Sequence, residues 1–318
     1  MTQTTYNAAG QMKKQVFGNG LETRYGYFGY WAYGQGSDLD LNVPFGSSDP
    51  RFYGRLLQTC TVTQGGSCTL DGSGPALNLS YWYDVGGNVT AVRDASNANQ
   101  VQHFAYDALD RLVYAYTEEQ GGTSAGTYTR TYTYDAVGNM SGRRIDDGNW
   151  VTYTYASNQP HAVTGLADGS FGAVYDANGN MITRTEAITS AGAVATYTQE
   201  FDVENRLVRV VSGTQETVFI YDGDGARVAQ VTPDGVTTLY VGELYEVRRG
   251  SPDAVTRYYY LGGQRVAMRQ PDDAVVWLHG DHLGSTSLTT GDSGNVGARQ
   301  AYYLGDGYAV HRFRVYNA

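Results

Sequence analysis

The sequence predicts an all-β protein built from repeated antiparallel β-hairpins. Its 318 residues include 41 glycines and 28 tyrosines but only 7 prolines, so turn formers and strand-favouring aromatics are abundant. Residues 127–134 alternate threonine with tyrosine or arginine, which is the two-residue period of a strand with unlike faces. One short motif, aromatic-Asp-x-x-Gly-Asn/Arg-apolar, recurs along the chain. Together these observations predict many short hairpins and little helix.

The copies of the motif set the order of the predicted hairpins. An early copy begins at Tyr6 and carries Asn7 where later copies carry aspartate. The later copies follow at unequal spacing, which predicts hairpins of unequal length rather than the even coils of a solenoid. Their aromatic anchors are Tyr83, Tyr106, Tyr134, Tyr175, Phe201 and Tyr221.

Each turn residue of the motif has its own predicted task. The aspartate can accept hydrogen bonds from backbone N–H groups two or three residues further on, which fixes the chain reversal. The glycine supplies a positive φ without steric cost, and Asp110 and Asn205 replace it in two copies because they tolerate that conformation better than most residues. The apolar residue that follows is expected to start the next strand.

The position after the glycine holds asparagine in some copies and is expected to hold Arg111, Arg206 and Arg227 in others. A guanidinium there can stack on a neighbouring tyrosine ring, a contact worth about 0.5–1 kcal/mol at an exposed site. Its other expected partner is the aspartate of the motif. These arginines are therefore interpreted as structural.

Some segments depart from the motif. Residues 26–80 form an irregular, aromatic-rich and glycine-rich insert, although Arg55-Leu56-Leu57 resembles the exit of a copy. Residues 117–129 and 185–198 are polar, which is typical of hairpin tips.

The two cysteines, Cys60 and Cys68, flank a stretch that predicts a short hairpin turning at Gly65-Gly66. A disulfide across it is geometrically feasible and would suit an exported protein. Two free thiols on neighbouring strands are the alternative, and the sequence leaves both open.

Composition argues against several classes of function. A formal net charge of −10 without a lysine or arginine cluster disfavours a nucleic-acid partner. The sequence has no apolar run that predicts a secretory signal or a membrane span. It also lacks a nucleophile elbow, a phosphate loop and an H-E-x-x-H motif. No catalytic residue and no cofactor is therefore assigned.

His279 and His282 form an H-x-x-H pair with Asp281 between them, which raises the question of a metal site. On a strand or turn this spacing does not bring both imidazoles to one face, and a metal site needs further ligands. No metal-binding residue is assigned.

The motif in YDALDRL, YDAVGNM, YDANGNM, FDVENRL and YDGDGAR resembles the tyrosine-aspartate repeats of RHS and YD-repeat proteins, bacterial relatives of the shell domain of animal teneurins. WLHGDHLGSTSLTTGDSGNV at 277–296 is similar to a segment near the end of the RHS core. The resemblance assigns residues 1–296 to a YD-repeat shell and leaves 297–318 as an off-pattern tail that looks truncated. The motif residues are Tyr83, Asp84, Tyr106, Asp107, Arg111, Tyr134, Asp135, Gly138, Asn139, Tyr175, Asp176, Gly179, Asn180, Phe201, Asp202, Arg206, Tyr221, Asp222, Gly225, Arg227, Asp281, His282, Leu283, Gly284 and Ser285.

The resemblance implies hairpins that run side by side as a strip and spiral into a partial or complete hollow β-shell. The function it implies is containment, since RHS proteins and the related Tc-toxin C components enclose a toxic C-terminal domain that an intramolecular aspartyl protease frees. The D-P-x-G motifs of that protease do not follow Asp281. The chain is therefore expected to be a non-enzymatic shell or scaffold segment of a polymorphic toxin or surface protein.

The resemblance also implies partners and a location. The expected partners are a C-terminal effector or the remainder of the shell, together with a component of a secretion system. The expected location is secreted or cell-surface, reached without a visible signal peptide, or cytoplasmic before export.

A binding module is the alternative function. Exposed tyrosines on a sheet could stack on sugars, so a stand-alone domain that recognises carbohydrate or a cell-surface partner would use the same residues. The competing interpretation is that these rings form the packing layer of the shell.

Overall fold

The computed structural model describes residues 3–28, 53–70, 74–118, 127–187, 193–300 and 315–317. These residues form twenty-six β-strands and no helix, which confirms the all-β prediction. The chain divides into two compact units. The first contains residues 1–131, 260–268 and 274–318, and the second contains 132–259 and 269–273.

The first unit takes its strands from both ends of the chain. Its N-terminal strands each pair antiparallel with the next one along the chain. Its last four strands form a second antiparallel ladder. The strands are β1 (Gln3–Tyr6), β2 (Met12–Val16), β3 (Leu21–Tyr27), β4 (Leu56–Thr63), β5 (Leu77–Tyr83), β6 (Val89–Asp94), β7 (Gln100–Tyr106), β8 (Leu112–Thr117), the start of β9 (Thr129–Tyr134), and later β22 (Gln264–Arg269), β23 (Val275–Gly280), β24 (Thr286–Thr290), β25 (Val296–Gln300) and β26 (Val315–Asn317).

The core of the first unit lies between its two ladders. Leu288 on β24 is fully buried and packs in one cluster with Leu77, Leu79 and Tyr81 of β5. A second cluster contains Phe17 and Leu21 from the first hairpins and Val266, Ala267 and Trp277 from β22 and β23. In each cluster, residues more than 200 positions apart in the sequence therefore pack together.

The second unit is a ladder of consecutive antiparallel strands from the end of β9 to β21. Sequence neighbours are spatial neighbours throughout it, as expected for a row of hairpins. The strands are β10 (Met140–Ile145), β11 (Trp150–Tyr155), β12 (Val163–Leu166), β13 (Phe171–Tyr175), β14 (Met181–Ala187), β15 (Val194–Phe201), β16 (Leu207–Ser212), β17 (Gln215–Tyr221), β18 (Arg227–Val231), β19 (Thr237–Val241), β20 (Tyr245–Arg248) and β21 (Ala254–Leu261), whose last two residues belong to the first unit.

Both polar segments named as hairpin tips join paired strands. β8 pairs antiparallel with β9, and β14 pairs antiparallel with β15. The tips themselves, residues 119–126 and 188–192, lie outside the described residues. So does most of the tail, residues 301–314 and 318.

The two cysteines form a disulfide between Cys60 on β4 and Cys68, and both side chains are buried. The turn between them lies where the sequence placed it, since Gly65 has a φ of +78° and the Gly66 N–H donates to the Thr63 carbonyl at 2.8 Å. The alternative of two free thiols is therefore wrong.

Reduction of this disulfide should destabilise the first unit. The bridge closes a short loop, with a sequence separation of 8. A loop of this size predicts a loss of roughly 2 kcal/mol in the free energy of unfolding on reduction. Urea unfolding with and without reductant measures the loss. The double variant Cys60→Ala/Cys68→Ala is the control and should be insensitive to reductant, whereas equal stability of oxidised and reduced wild type would contradict the prediction.

Candidate functional site: the repeated turn and the strands it joins

The motif folds into one hydrogen-bonded turn. In the copy that starts at Tyr106, the Asp107 N–H donates to the Arg111 carbonyl at 2.9 Å and the Asp110 N–H donates to the Asp107 carbonyl at 3.0 Å. The Asp107 carboxylate accepts the backbone N–H groups of Leu109 and Arg111 at 2.9 and 3.0 Å. The same backbone pair closes the turns at Asn7, Asp84, Asp135, Asp176, Asp202 and Asp222.

The residue before the Asn/Arg position has a left-handed backbone. Gly138 and Gly179 have φ values of +93° and +89°, and Asp110 and Asn205 adopt the same conformation at +58°. A turn followed by a left-handed residue produces a bulge in the hairpin. The strand register accordingly shifts between Ala105 and Tyr106.

Hydrogen bonds favour the ionised form of the Asp107 and Asp176 carboxylates. The Arg111 side chain and the turn N–H groups lower the pKa of Asp107, and the Asn180 side chain does the same for the pKa of Asp176. A carboxylate accepts more hydrogen bonds than a carboxylic acid, so the ionised form is the one that closes the turn.

The tyrosine of the motif links its hairpin to the preceding one. The bulge places the ring beside the exit strand of the earlier turn, and the hydroxyl donates to the first carbonyl of that strand. The described residues show this bond in both units, and Tyr27 and Tyr155, which enter turns without the aspartate, make it as well. Examples are Tyr27 to Met12, Tyr83 to Leu56, Tyr106 to Val89, Tyr155 to Met140, Tyr175 to Val163 and Tyr221 to Leu207, at 2.7 to 3.0 Å.

The hydroxyl of each linking tyrosine must stay protonated to donate. Burial raises the pKa of Tyr83 to about 12, and it also raises the pKa of Tyr106 and Tyr175. Sequence reasoning assigned the rings to packing and missed the hydroxyl bond. The sequence did contain a signal for this bond, because every aromatic anchor except Phe201 is tyrosine and not phenylalanine.

Where the Asn/Arg position holds asparagine or arginine, as at Asn180 and Arg206, its side chain connects the turn to the next one. The Arg206 guanidinium lies over the Tyr221 ring at 5.2 Å, while the carbonyl of the adjacent Leu207 accepts the Tyr221 hydroxyl. In a copy with asparagine, Asn180 Nδ2 donates to Asn205 Oδ1 of the following turn at 2.8 Å. A two-residue Arg-Leu sequence thus holds both the face and the hydroxyl of one tyrosine.

The irregular insert conceals a further copy of the turn. The Phe28 N–H donates to the Arg55 carbonyl at 2.9 Å and the Gly54 N–H donates to the Phe28 carbonyl at 2.8 Å, so both closing bonds are present. Arg55 lies over the Tyr83 ring at 5.4 Å, and the Tyr83 hydroxyl donates to Leu56. The exit suggested by Arg55-Leu56-Leu57 therefore belongs to a turn whose entry is at Phe28.

Arg227 does not occupy the Asn/Arg position. Ala226 does, because the Asp222 carboxylate accepts the Ala226 N–H at 2.9 Å. Arg227 is one residue later, opposite Tyr221 in the bulged ladder, and its guanidinium lies over Tyr240 at 4.7 Å. Arg111, by contrast, pairs with Asp107 at 2.7 Å as assigned.

The Asp-His-Leu-Gly-Ser segment is itself another copy of the turn. The Asp281 N–H donates to the Ser285 carbonyl at 2.9 Å, and the Gly284 N–H donates to the Asp281 carbonyl at 3.1 Å. The Asp281 carboxylate accepts the N–H groups of Leu283 and Ser285. This segment was expected to be separate from the repeats, although its D-x-x-G spacing equals theirs.

This last turn lies against the first hairpins of the same unit. The His282 ring packs on Tyr81 with centroids 4.6 Å apart, while Leu283 at the tip is 77% exposed. On the strand before the turn, the ring of Trp277 covers Gly18, where a Cβ atom would come within 3.1 Å of it. A Cβ atom at position 18 therefore requires the Trp277 ring to move by a few tenths of an ångström.

The two histidines of the H-x-x-H pair have different surroundings. His279 is fully buried beneath Phe17, with ring centroids 4.6 Å apart, whereas His282 lies on Tyr81. Within the described residues no group of three or more His, Cys, Asp or Glu side chains could hold a metal ion. The same residues contain no helix with the length and apolarity of a membrane span.

Comparison with known proteins agrees with this geometry. No family model and no curated protein matches the sequence. The crystal structure of TcdB2-TccC3-Cdc42 superimposes with a TM-score of 0.65 at 19% identity over 95% of this chain and 15% of that chain. The crystal structures of TcdB2-TccC3-TEV and TcdB2-TccC3 each match with a TM-score of 0.50, at 16% and 15% identity. The chain has an RHS-like fold.

The superposition covers only a small part of the solved chain. The chain spans about 15% of the length of the solved chain that it superimposes on. At this level of identity the likeness concerns the RHS-like fold alone.

Exchanging tyrosine and phenylalanine at the motif anchor should change stability in opposite directions. Tyr175→Phe removes the 2.9 Å bond to the Val163 carbonyl, and one such bond contributes about 1 kcal/mol to the free energy of unfolding. Phe201→Tyr should gain up to a similar amount, since the register brings position 201 beside the Met181 carbonyl. Urea unfolding measures both, and a neutral result for Tyr175→Phe would contradict the linking role.

Shortening the Leu288 side chain to alanine should destabilise the first unit far more than the same substitution at Leu283. Leu288 is fully buried, so Leu288→Ala should cost about 2–5 kcal/mol of unfolding free energy. Leu283→Ala is the matched control five residues away, and an exposed site of this kind changes stability by about 0.5 kcal/mol or less. Thermal or urea unfolding compares them; equal losses would show that β24 does not pack on β5.

Proposed function

We propose that this chain is a non-enzymatic wall segment of an RHS-type shell that encloses or presents a C-terminal effector. The observation that carries the proposal is the hydroxyl-to-carbonyl link between successive hairpins, which is present in both units. A link that repeats from one hairpin to the next builds an extended sheet of any length. It does not build a single concave site of the kind that binds a small molecule.

The use of the polar motif residues supports a structural role without catalysis. The carboxylates of Asp107 and Asp176 accept N–H groups of their own turns, and the Asn/Arg side chains bind the aspartate or the next turn. A catalytic acid or base must instead face a reacting group across a cleft. The repeated polar residues are thus committed to holding strands together.

The partners follow from the same proposal. The solved structures of similar fold are complexes of TcdB2 with TccC3, so each contains more than one toxin component. We infer that this wall segment likewise associates with further shell, with an effector and with the component that exports it.

The disulfide supports a location outside the reducing cytoplasm. Cys60 is fully buried, and its partner Cys68 is nearly so. Structural disulfides form and persist in oxidising compartments and are rare in the cytosol. We therefore propose that the chain reaches its final state after export.

A cargo experiment tests enclosure. A small folded reporter is fused after residue 318 through a protease-sensitive linker, and the rate of linker cleavage is measured. Enclosure predicts that the wild type and Leu283→Ala protect the linker, while Leu288→Ala, which loosens the first unit, exposes it. Cleavage at the same rate in all three proteins, with the fold intact by circular dichroism, would overturn enclosure.

One observation favours the alternative of carbohydrate binding. Tyr114 is 37% exposed on β8, its ring lies 5.4 Å from that of Tyr116, and Tyr116 stacks on His103 at 4.8 Å. Such a row of partly exposed rings can stack on sugar faces. Saturable glycan binding that Tyr114→Ala abolishes, with unfolding free energy unchanged, would support a binding module.

A further inference from the structure

A chain of buried hydrogen bonds crosses from the first hairpins to the last ones within the first unit. Its centre is His279 on β23, with Nδ1 at 3.3 Å from Thr23 Oγ1 and Nε2 at 2.8 Å from Thr290 Oγ1. Beyond these, Thr23 Oγ1 lies 2.8 Å from Thr61 Oγ1, and Asn19 Nδ2 donates to Thr290 Oγ1 at 2.9 Å. Five side chains from both ladders of the unit are joined in one line.

The donors and acceptors of this line fit a neutral imidazole. Because Thr290 Oγ1 accepts from Asn19, its own proton is available to Nε2 of His279. Nδ1 then carries the ring proton and donates to Thr23, whose proton goes on to Thr61. A second ring proton on Nε2 would force the Thr290 hydroxyl to turn its own proton away and accept instead, and it would leave a cation buried at the centre of the line.

Among the described residues, the groups that face His279 include no counter-ion for a charged ring. The groups that face it are Phe17 and the hydroxyl and amide side chains just described. On the strands packed against it, Glu22 and Arg24 pair with each other, and by strand alternation they point to the face opposite Thr23. The remaining titratable groups, Tyr81, Asp281 and His282, contact one another around the turn.

We propose that His279 is an acid-sensitive latch, and that its protonation releases β23 and β24 from the first hairpins of the unit. The latch is independent of any cargo. On acidification, the contact between β23 and β24 and the first hairpins opens. The tyrosine-linked hairpins stay paired.

The burial of His279 sets the direction and the size of the pH effect on strand opening. Burial lowers the pKa of His279 from 6.5 to about 4, so the released strand binds the proton more readily than the latched one. Opening is therefore unaffected above the ordinary pKa and grows as the pH falls through the window between the two values. From a pH well above 6.5 to a pH well below 4, the opening equilibrium should rise about 300-fold in total.

Two other groups of the unit titrate nearby and need controls. Burial lowers the pKa of His282 and raises that of Asp94, whose turn residue Ser96 accepts a bond from Arg299 of β25. The turn carboxylates Asp84 and Asp107 have lowered pKa values and stay ionised in this range. Substitution of His279 alone separates the latch from all of these.

Hydrogen exchange of the β23 and β24 amides at pH 7 and pH 4.5, corrected for intrinsic rates, tests the latch. In the wild type these amides should open about 60-fold more at pH 4.5 than at pH 7, and His279→Gln should lose most of that pH dependence. His282→Gln should lose a smaller part and His161→Gln, in the second unit, none. Wild-type amides that open equally at both pH values, or His279→Gln retaining the full dependence, would overturn the proposal.

If His279→Gln fails to fold, titration of the His279 imidazole in the wild-type protein still tests the latch. The imidazole resonance of His279 should titrate with a midpoint near 4, together with loss of the Phe17 contact. A midpoint near 6.5 with the contact retained would overturn the latch. Neither measurement uses a cargo, so the latch and the enclosing role can fail separately.

Discussion

The structure depends on one hydrogen bond, from a tyrosine hydroxyl to the first carbonyl of the preceding hairpin's exit strand. The aspartate turn creates the bulge that brings the ring to this carbonyl, and the Asn/Arg residue before the carbonyl reaches the next turn. A slip of one residue would move every side chain of a strand to the other face. The hydroxyl has a partner only in the correct register, so it fixes pairing between hairpins that no covalent feature aligns.

The first unit is organised differently because its two ladders meet through side chains. Leu288, Trp277 and His279 come from the end of the chain and lie on residues from its beginning. The contact is partly apolar and partly a line of hydroxyl, amide and imidazole groups. A purely apolar contact would be insensitive to pH, whereas a buried neutral imidazole makes the same contact conditional on protonation.

Local features could be predicted from the sequence, and features that depend on distant pairing could not. The turn at Asp107, the left-handed residues Asp110 and Asn205, and the alternation along 127–134 each follow from a few neighbouring residues. The acceptor of each tyrosine hydroxyl and the partners of His279 depend on which strands meet. Arg227 was misplaced because residue type was followed rather than its distance from Asp222. The copy that begins at Phe28 was missed because its exit lies 27 residues later at Arg55 (55 − 28 = 27).

The turn that begins at Phe28 and ends at Arg55 shows how a chain of this kind can gain sequence during evolution. Since Phe28 and Gly54 close the turn by themselves, the strands on either side keep their register whatever lies between them. Lengthening a flexible loop costs only about 0.6 kcal/mol for each doubling of its length. The turn closed by Phe28 and Gly54 is thus a position where new sequence can be accommodated at small cost to the sheet, and it is the natural insertion point for an engineered tag or domain.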